Sequence, residues 1–376
     1  MKIGILTLPL ETNYGGILQA YALQKTLRDM GHDVLTIDHH QPKRYKSFFH
    51  HLRGYINRCV QHYIYGKDIS IYWNGFMPPE IYKRISSNTQ PFIEKNIKKT
   101  QRILTTKLIE IEKEYNFDAY VVGSDQVWLP TYFPHTFLPF LHRDNVIKIV
   151  YAASSGRLSW MDFESSVTQA RKFSRTFKAF STREESLGRR ASNVLQRDVV
   201  TVLDPTMLLE PQDYISVSED GWIFPEKTLF TYVLDRSSEK KQIIEEIAKK
   251  YNLEIIEGNV KTDYVKKKGI NLDDCVFPSV ERWIQGISAS SFVVTDSFHG
   301  TVFSILFNKP FISIGNARRG LERFDSLLRM FNLHNRLVCS LKDVVEKETE
   351  MIDWNFVNAK LSERRKKSLE FLSNNL

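Results

Sequence analysis

The segment that decides the fold is KIGILTLPLETNYGGILQAYALQKTLRDMGHDVLTID, residues 2–38. A short β-like run, residues 2–8, is followed by a polar break that ends in two glycines. The apolar residues of the next run fall roughly on one helical face: Ile17, Ala20, Tyr21, Leu23 and Leu27. Gly31 can end that helix, and residues 32–38 are typical of a second strand. Strand, glycine turn, helix and strand form a βαβ unit, which predicts a parallel sheet.

The alternation of strands and helices continues along the chain and predicts two Rossmann-like, doubly wound domains. Residues 1–208 form the first, in which a basic and aromatic stretch, about residues 41–115, is expected to be a helical insertion. Residues 209–376 form the second, whose last helix, from about Trp354, could pack back on the first domain. Ligands of open α/β sheets bind beyond the carboxyl ends of the strands, so we expect the site in a cleft between the domains.

Charge, cysteine content and apolar runs indicate which partners and which compartment to expect. The net charge of +8 over 376 residues favours anionic partners in general. No nucleic-acid motif is present and the basic residues are not gathered on one aromatic platform, so we expect no nucleic-acid partner. The three cysteines are scattered without metal-site spacing, which predicts a reducing compartment and no metal. No signal-peptide pattern and no apolar run of roughly 18 residues occurs, so we expect a cytoplasmic protein.

The segment VVTDSFHGTVFSILF, residues 293–307, places a histidine where a strand gives way to a helix. Ser297 can cap that helix, and its free N–H groups favour an anion. Gly300 would let a ligand approach the backbone, and the Thr301 hydroxyl is nearby. His299 could bind a phosphate or transfer a proton near neutral pH. The alternative is a capping cluster in which His299 packs against its own turn.

Two further junctions also follow predicted strands in the first domain. Gly15 and Gly16 permit a tight turn, and Asn13 could cap the helix or bind a ligand; without the GxGxxG spacing, a plain turn is the favoured interpretation. In VVGSDQVW, Asp125 could bind sugar hydroxyls or act as a base, and Trp128 could stack on a sugar. Equally, Asp125 could be a helix cap and Trp128 a core residue.

Arginines follow two other strands. In STREE, Arg183 could bind a carboxylate or phosphate through both of its guanidinium edges, or it could simply pair with Glu184 or Glu185. In NARRGLERF, most arginines are expected at the surface, although Arg318 or Arg323 could reach an anion in the cleft.

Six segments in this order resemble the polysaccharide pyruvyl transferase family. They are NYGGILQAYALQ, VVGSDQVW, YAASSG, STREES, VLDPTMLL and VVTDSFHGTVFSILFNKPFI. The resemblance extends from Ile3 to about Leu328, and the basic insertion is the part that it constrains least. It implies an enzyme that moves a pyruvyl group from phosphoenolpyruvate onto a sugar, forming a pyruvate ketal. It also implies two Rossmann-like domains facing a cleft, similar to the two-domain (GT-B-like) glycosyltransferases.

The resemblance and the junctions together give a set of predicted site residues. The residues predicted to be catalytic are His299, Arg183 and Asp125. Those predicted to bind phosphoenolpyruvate are Ser297, Gly300, Thr301, Arg318 and Arg323. Those predicted to face the acceptor sugar are Asn13, Tyr14, Gly15, Gly16 and Trp128. Phosphoenolpyruvate is then a co-substrate, and no cofactor is expected.

Three matters stay open at this stage. A nucleotide-sugar-dependent glycosyltransferase would share the fold and the cleft, and a non-catalytic sugar-binding relative would share both as well. The acceptor could be a polymer in exopolysaccharide or capsule biosynthesis, a small sugar or a lipid-linked precursor. The insertion could contact that precursor at the inner face of the membrane, although a solvated helical face is the favoured interpretation.

Overall fold

The computed structural model of the chain describes residues 1–40, 48–64, 79–156, 159–218, 221, 223–261, 271–315, 320–347 and 351–376. Within these residues the chain forms a six-stranded and a five-stranded sheet, together with a small two-stranded one. Every strand pair is parallel. Helices alternate with the strands of both large sheets, which confirms the predicted α/β fold with two Rossmann-like domains.

The described part of the first domain holds eight strands: β1 (Lys2–Leu6), β2 (Asp33–Thr36), β3 (His39–His40), β4 (Ile103–Leu104), β5 (Ala119–Val122), β6 (Ile147–Ala153), β7 (Ala179–Thr182) and β8 (Val199–Thr201). The large sheet has the order β2-β1-β5-β6-β7-β8, and β3 pairs with β4 separately. Because β1 lies between β2 and β5, the direction in which strands are added reverses there. The crevice beyond β1 and β5 is therefore a switch point, where such folds bind ligands.

The helices up to the domain boundary are α1 (Tyr14–Asp29), α2 (Phe48–Cys59), α3 (Pro79–Ile85), α4 (Gln90–Asn96), α5 (Leu108–Tyr115), α6 (Glu164–Ser174), α7 (Glu185–Leu195) and α8 (Pro211–Ile215). The described parts of the predicted insertion are largely helical; β3 directly precedes the insertion and β4 lies within it. Residues 41–47 and 65–78 of that insertion lie outside the described residues.

The second sheet consists of β9 (Thr228–Tyr232), β10 (Glu254–Glu257), β11 (Phe292–Thr295), β12 (Phe311–Ile314) and β13 (Leu337–Val338), in the order β10-β9-β11-β12-β13. Its switch point lies between β9 and β11. The helices of this half are α9 (Ser238–Tyr251), α10 (Val280–Ala289), α11 (Phe298–Leu306), α12 (Glu322–Met330), α13 (Leu341–Lys347) and α14 (Trp354–Asn375). No helix in the described parts of the chain has both the length and the apolar character needed to cross a bilayer.

The first helix and the last helix of the chain each contact the opposite domain. Tyr14, in the first turn of α1, stacks on Trp283 of α10 with ring centres 5.5 Å apart, and its hydroxyl donates to the Pro278 carbonyl at 2.7 Å. Such a stacked pair adds about 0.5–1.5 kcal/mol beyond the area that it buries. In α14, the Ser368 hydroxyl accepts a hydrogen bond of 3.0 Å from the amide of Leu203. These contacts hold the carboxyl ends of the two sheets against each other.

Candidate active site

His299 lies in the first turn of α11, just past the carboxyl end of β11. Ser297 caps this helix by accepting a hydrogen bond from the amide of Gly300. The imidazole Nε2 lies 3.6 Å from Oδ2 of Asp204, which is longer than a hydrogen bond, and no described group makes one to it. Since Asp204 follows the last strand of the first sheet, this histidine lies where the two domains meet.

The other ring nitrogen of His299 packs against the backbone of α1. A Cβ atom at Gly15 would lie 2.0 Å from Nδ1 and 2.4 Å from Cγ of His299, so only a glycine allows this approach. Gly15 was expected in a turn, but it belongs to the first turn of α1. The N-termini of α1 and α11 therefore meet at the imidazole, one from each switch point, and both favour a negative charge.

Gly15→Ala is expected to lower the free energy of unfolding by about 1–3 kcal/mol, because the new methyl group must displace His299 or separate the domains. Gly16→Ala is the matched control in the same helical turn. Its Cβ would meet nothing closer than Asn13, at 3.6 Å, an ordinary contact. We expect Gly16→Ala to be neutral or stabilising by up to about 1 kcal/mol. Urea unfolding of both variants measures the difference, and equal stabilities would contradict the close approach.

A buried ion-pair cluster adjoins His299. Its members are Arg183, Asp125, Glu184 and Asp204, and we call it the Arg183 cluster. Nη2 of Arg183 lies 2.8 Å from Asp125, Nη1 lies 2.7 Å from Asp204, and Nε lies 3.4 Å from Glu184. The Arg183 side chain is 1% exposed. Carboxylates of its own domain thus surround the guanidinium, and Arg183 in turn holds the buried carboxylate of Asp125. The predicted contacts of Arg183 with a substrate anion and of Asp125 with the acceptor stay predictions.

The charges of the cluster are unequal, with three carboxylates around one guanidinium. Burial raises the pKa of Asp204, but His299 and Arg183 outweigh burial and hold that pKa below its ordinary value. Burial also raises the pKa of Glu184, and there Arg183 only partly opposes the effect. A proton on His299 brings a second positive charge to the cluster. Asp204 is therefore the member best suited to stay ionised, and Glu184 is better suited to exchange a proton.

A cavity of about 330 Å³ lies between the domains beside this cluster. Its lining includes Ser155, Gly156, Ser159, Glu184, Arg190 and Arg323. The ring of Phe298 lies near an arginine of the cluster and an arginine of the cavity, with its centre 4.1 Å from Cζ of Arg183 and 6.0 Å from Cζ of Arg323. The cavity is formed at the carboxyl ends of β6 and β7 and at the start of α12. Its volume falls in the range of small-molecule sites, about 300–1,000 Å³.

Two of the residues predicted to contact the phosphate have structural roles. A Cβ atom at Gly300 would lie 2.3 Å from Oγ1 of Thr295, so this glycine lets α11 pack on β11. Thr301 is fully buried, with its hydroxyl 2.7 Å from that of Ser313. The contacts of Gly300 and Thr301 with phosphate stay predictions. The contact of Ser297 with phosphate stays a prediction.

Of the two remaining predicted arginines, the structure describes one. Arg323 lines the cavity, so it is placed where an anionic substrate could reach it. Arg318 lies outside the described residues. Both assignments stay predictions.

Most residues predicted to face the acceptor sugar are buried. Tyr14 packs against the second domain, and Trp128 packs edge-on against Trp160 with ring centres 5.8 Å apart. Both aromatic rings are fully buried, which favours the core interpretation of Trp128, and their contacts with the acceptor sugar stay predictions. Gly15 and Gly16 are also buried, in α1. Asn13 is exposed at the N-cap of α1, and its contact with the acceptor stays a prediction.

The sequence analysis assigned no role to Asp204 and considered Glu184 only as a partner of Arg183. Both residues follow strands of the first sheet, β8 and β7, so they obey the same strand-end rule that identified His299. The segments VLDP and STREE therefore contain the pattern, a polar residue after a strand, that could have identified Asp204 and Glu184 as site residues. Their convergence on one guanidinium depends on the order β6-β7-β8, which the sequence analysis did not predict.

The family described as polysaccharide pyruvyl transferase has a model that matches residues 13–318. That range includes His299 and every member of the Arg183 cluster. No curated protein matches the chain.

Solved structures with a similar fold include two sugar-nucleotide enzymes. UDP-GlcNAc 2-epimerase from Neisseria meningitidis, bound to UDP-GlcNAc, gives a TM-score of 0.55 at 11% identity over 100% of both chains. The enzyme of the same name from Methanocaldococcus jannaschii gives 0.53 at 13% identity, over 99% of this chain and 100% of that one. Identities this low establish a common fold alone, which is the GT-B-like pair of Rossmann domains.

Proposed function

The chain belongs to the polysaccharide pyruvyl transferase family, and from that membership we propose that it transfers the pyruvyl group of phosphoenolpyruvate to two hydroxyls of a sugar. The product is a pyruvate ketal on a cell-surface or capsular polysaccharide, or on its lipid-linked precursor, and phosphate is released. The observation that carries this proposal is the position of His299, at the N-termini of α1 and α11 where the domains meet.

Ketal formation requires the transfer of two protons. The methylene carbon C3 of phosphoenolpyruvate gains a proton, C2 becomes oxocarbenium-like, and one sugar hydroxyl adds to C2 as it loses its own proton. The bond from C2 to the phosphate oxygen then breaks, the second hydroxyl adds to C2, and the second proton leaves with the phosphate. Two carbon–oxygen bonds form and one breaks. No electrons are exchanged with a redox cofactor, so phosphoenolpyruvate serves as co-substrate.

We assign the protonation of C3 to His299, because an imidazole can donate a proton near neutral pH. The helix N-termini at this residue favour the phosphate, and Arg323 in the cavity provides a planar cation for the carboxylate or phosphate. The carboxylate of Asp204, with Oδ2 3.6 Å from Nε2, faces the imidazole. In this assignment Arg183 positions Asp204 and does not touch the substrate.

Phosphoenolpyruvate is expected to raise the melting temperature of the protein, whereas uridine or guanosine diphosphate is not. At about 100 times its dissociation constant, a ligand adds about 2.7 kcal/mol to the free energy of unfolding. Phosphate release is then measured with a panel of p-nitrophenyl glycosides and lipid-linked sugars. Release that depends on one glycoside, with a pyruvyl group added to the mass of the product, is the expected result.

The opposite pattern identifies the alternatives. Stabilisation by a nucleoside diphosphate but not by phosphoenolpyruvate would contradict pyruvyl transfer and favour a nucleotide-sugar-dependent glycosyltransferase. Stabilisation by a glycoside alone, without phosphate release, would favour a sugar-binding relative that does not catalyse transfer.

We further propose that the insertion holds a lipid-linked acceptor at the inner face of the membrane. Ile56 and Ile64 are 52% and 72% exposed in and just after α2, and Arg53 of the same helix is also exposed. Exposed apolar and basic residues on one helix are typical of helices that lie in the membrane interface. Phosphate release should be faster with a vesicle-bound glycoside than with its soluble form. Equal rates would favour a solvated helical face.

A further inference from the structure

Glu184 is a buried carboxylate of which only one oxygen is used. Its residue exposure is 2%, and Oε1 accepts a hydrogen bond from the Ser154 hydroxyl and faces Nε of Arg183 at 3.4 Å. Among the described residues, Oε2 has no hydrogen-bond partner. A buried polar atom without a partner is costly and needs an explanation. Glu184 also lines the cavity between the domains, so a ligand there is a candidate partner.

The ion pair with Arg183 does not explain this carboxylate. Asp125 and Asp204 already lie 2.8 and 2.7 Å from the guanidinium, closer than Glu184 at 3.4 Å. One carboxylate neutralises one guanidinium, so Glu184, the most distant of the three carboxylates, adds to an excess of negative charge in a buried place. Such a charge is expensive unless it has a further role. The position of Glu184, at the end of β7 and at the edge of the cavity, indicates that this role is toward the substrate.

We infer that the cavity binds the acceptor sugar and that Oε2 of Glu184 accepts the proton of the hydroxyl that attacks C2 of phosphoenolpyruvate. This inference rests on the proposed pyruvyl transfer. The O–H bond of the sugar breaks, the O–C2 bond forms, and His299 protonates C3 in the same step. Glu184 then returns its proton to the departing phosphate and becomes a carboxylate again. The second hydroxyl closes the ketal on C2, and its proton passes to His299, which restores the acid.

The chemistry of the lining fits a sugar with free hydroxyls. Ser155 and Ser159 offer hydroxyl groups that can donate to and accept from a polyol, and Arg323, which also lines the cavity, can hold the anionic donor. The two proton-transfer groups then come from different domains, Glu184 from the first and His299 from the second. Arg183 and Asp204 connect them through contacts of 3.4, 2.7 and 3.6 Å. A base whose pKa is raised toward neutrality by burial is well matched to this task.

Glu184→Gln tests the inference, because it keeps the size of the side chain and removes the base. We expect kcat for glycoside-dependent phosphate release to fall about 10²- to 10⁴-fold, with the stabilisation by phosphoenolpyruvate unchanged. Wild-type kcat should also decline as the pH falls and Glu184 is protonated, and the variant should lose this decline.

Glu184→Asp, which keeps the charge but shortens the side chain, should reduce kcat less and retain the pH dependence. Glu185→Gln is the matched control, since Glu185 is 69% exposed and pairs with Arg189.

The outcomes separate this inference from the proposed function. Wild-type kcat and pH dependence in Glu184→Gln would overturn the role of Glu184 and leave pyruvyl transfer intact. If Glu184→Gln fails to fold, Glu184→Asp decides: wild-type kcat in that variant would show a merely structural carboxylate. A wild-type protein that phosphoenolpyruvate stabilises, but that releases no phosphate with any p-nitrophenyl glycoside or lipid-linked sugar, overturns the proposed transfer and with it this inference. A wild-type protein that phosphoenolpyruvate neither stabilises nor reacts with overturns both.

Discussion

Arg183→Met is expected to lower the free energy of unfolding by about 3–5 kcal/mol, because it leaves buried carboxylates without their cation. Methionine fills a similar volume with apolar atoms, so the loss reports the charge rather than a void. Among the described residues, the guanidinium forms ion pairs with Asp125 and Glu184, whereas Asp204 pairs with the guanidinium and also lies near His299. Urea unfolding at neutral pH measures the change. This variant should also be inactive, because Arg183 positions Asp204 and Glu184, which lie beside the candidate active site.

The dependence of that loss on pH gives a sharper test than its size. A buried carboxyl without a cation has a pKa above its value in the unfolded chain, so the native state binds more protons and stability falls as the pH rises. The deficit of Arg183→Met should therefore be smaller at acidic than at neutral pH. Arg189→Met is the control, because Arg189 is 69% exposed and should change stability by no more than about 0.5 kcal/mol. Equal effects of the two substitutions would contradict the buried cluster.

The sequence predicts the architecture and the strand ends of the site, because both follow from local patterns. The βαβ unit of residues 2–38 and the polar residues after VVT, VVG and KAF are readable from hydrophobic periodicity alone. Parallel sheets then place those residues at one edge. His299 at a domain junction was foreseeable in this way, and so was the presence of Arg183 near it.

What the sequence could not predict is which strand-end residues face a ligand and which face each other. Arg183 carries the charge that an anionic substrate needs, yet Asp125 and Asp204 take it, and only the strand order brings those carboxylates to it. Trp128 has the surface to stack on a sugar, but it packs against Trp160. The chemistry of a side chain is the same whether it contacts a ligand or another residue of the chain. Long-range packing decides between them, and a single sequence does not display it.

His299→Gln is expected to lower kcat for glycoside-dependent phosphate release by about 10²- to 10⁴-fold, because glutamine cannot donate a proton to C3. Folding should be retained, since Asp204 keeps its contacts with Arg183 and with the amide and hydroxyl of Thr206. The matched control is His142→Gln, at an exposed histidine of the first domain. Both variants are assayed for phosphate release over a range of phosphoenolpyruvate concentrations.

The separation of kcat from KM decides which role His299 has. An acid that protonates C3 acts only in the transition state, so its loss lowers kcat and kcat/KM together. A group that merely holds the phosphate binds ground state and transition state alike, so its loss raises the KM for phosphoenolpyruvate and leaves kcat unchanged. If neither parameter changes, His299 only packs against Gly15 at the junction, and the proton must come from another group. In that case Glu184, which lines the cavity, becomes the candidate donor of the proton to C3. Glu184→Gln should then abolish both proton transfers.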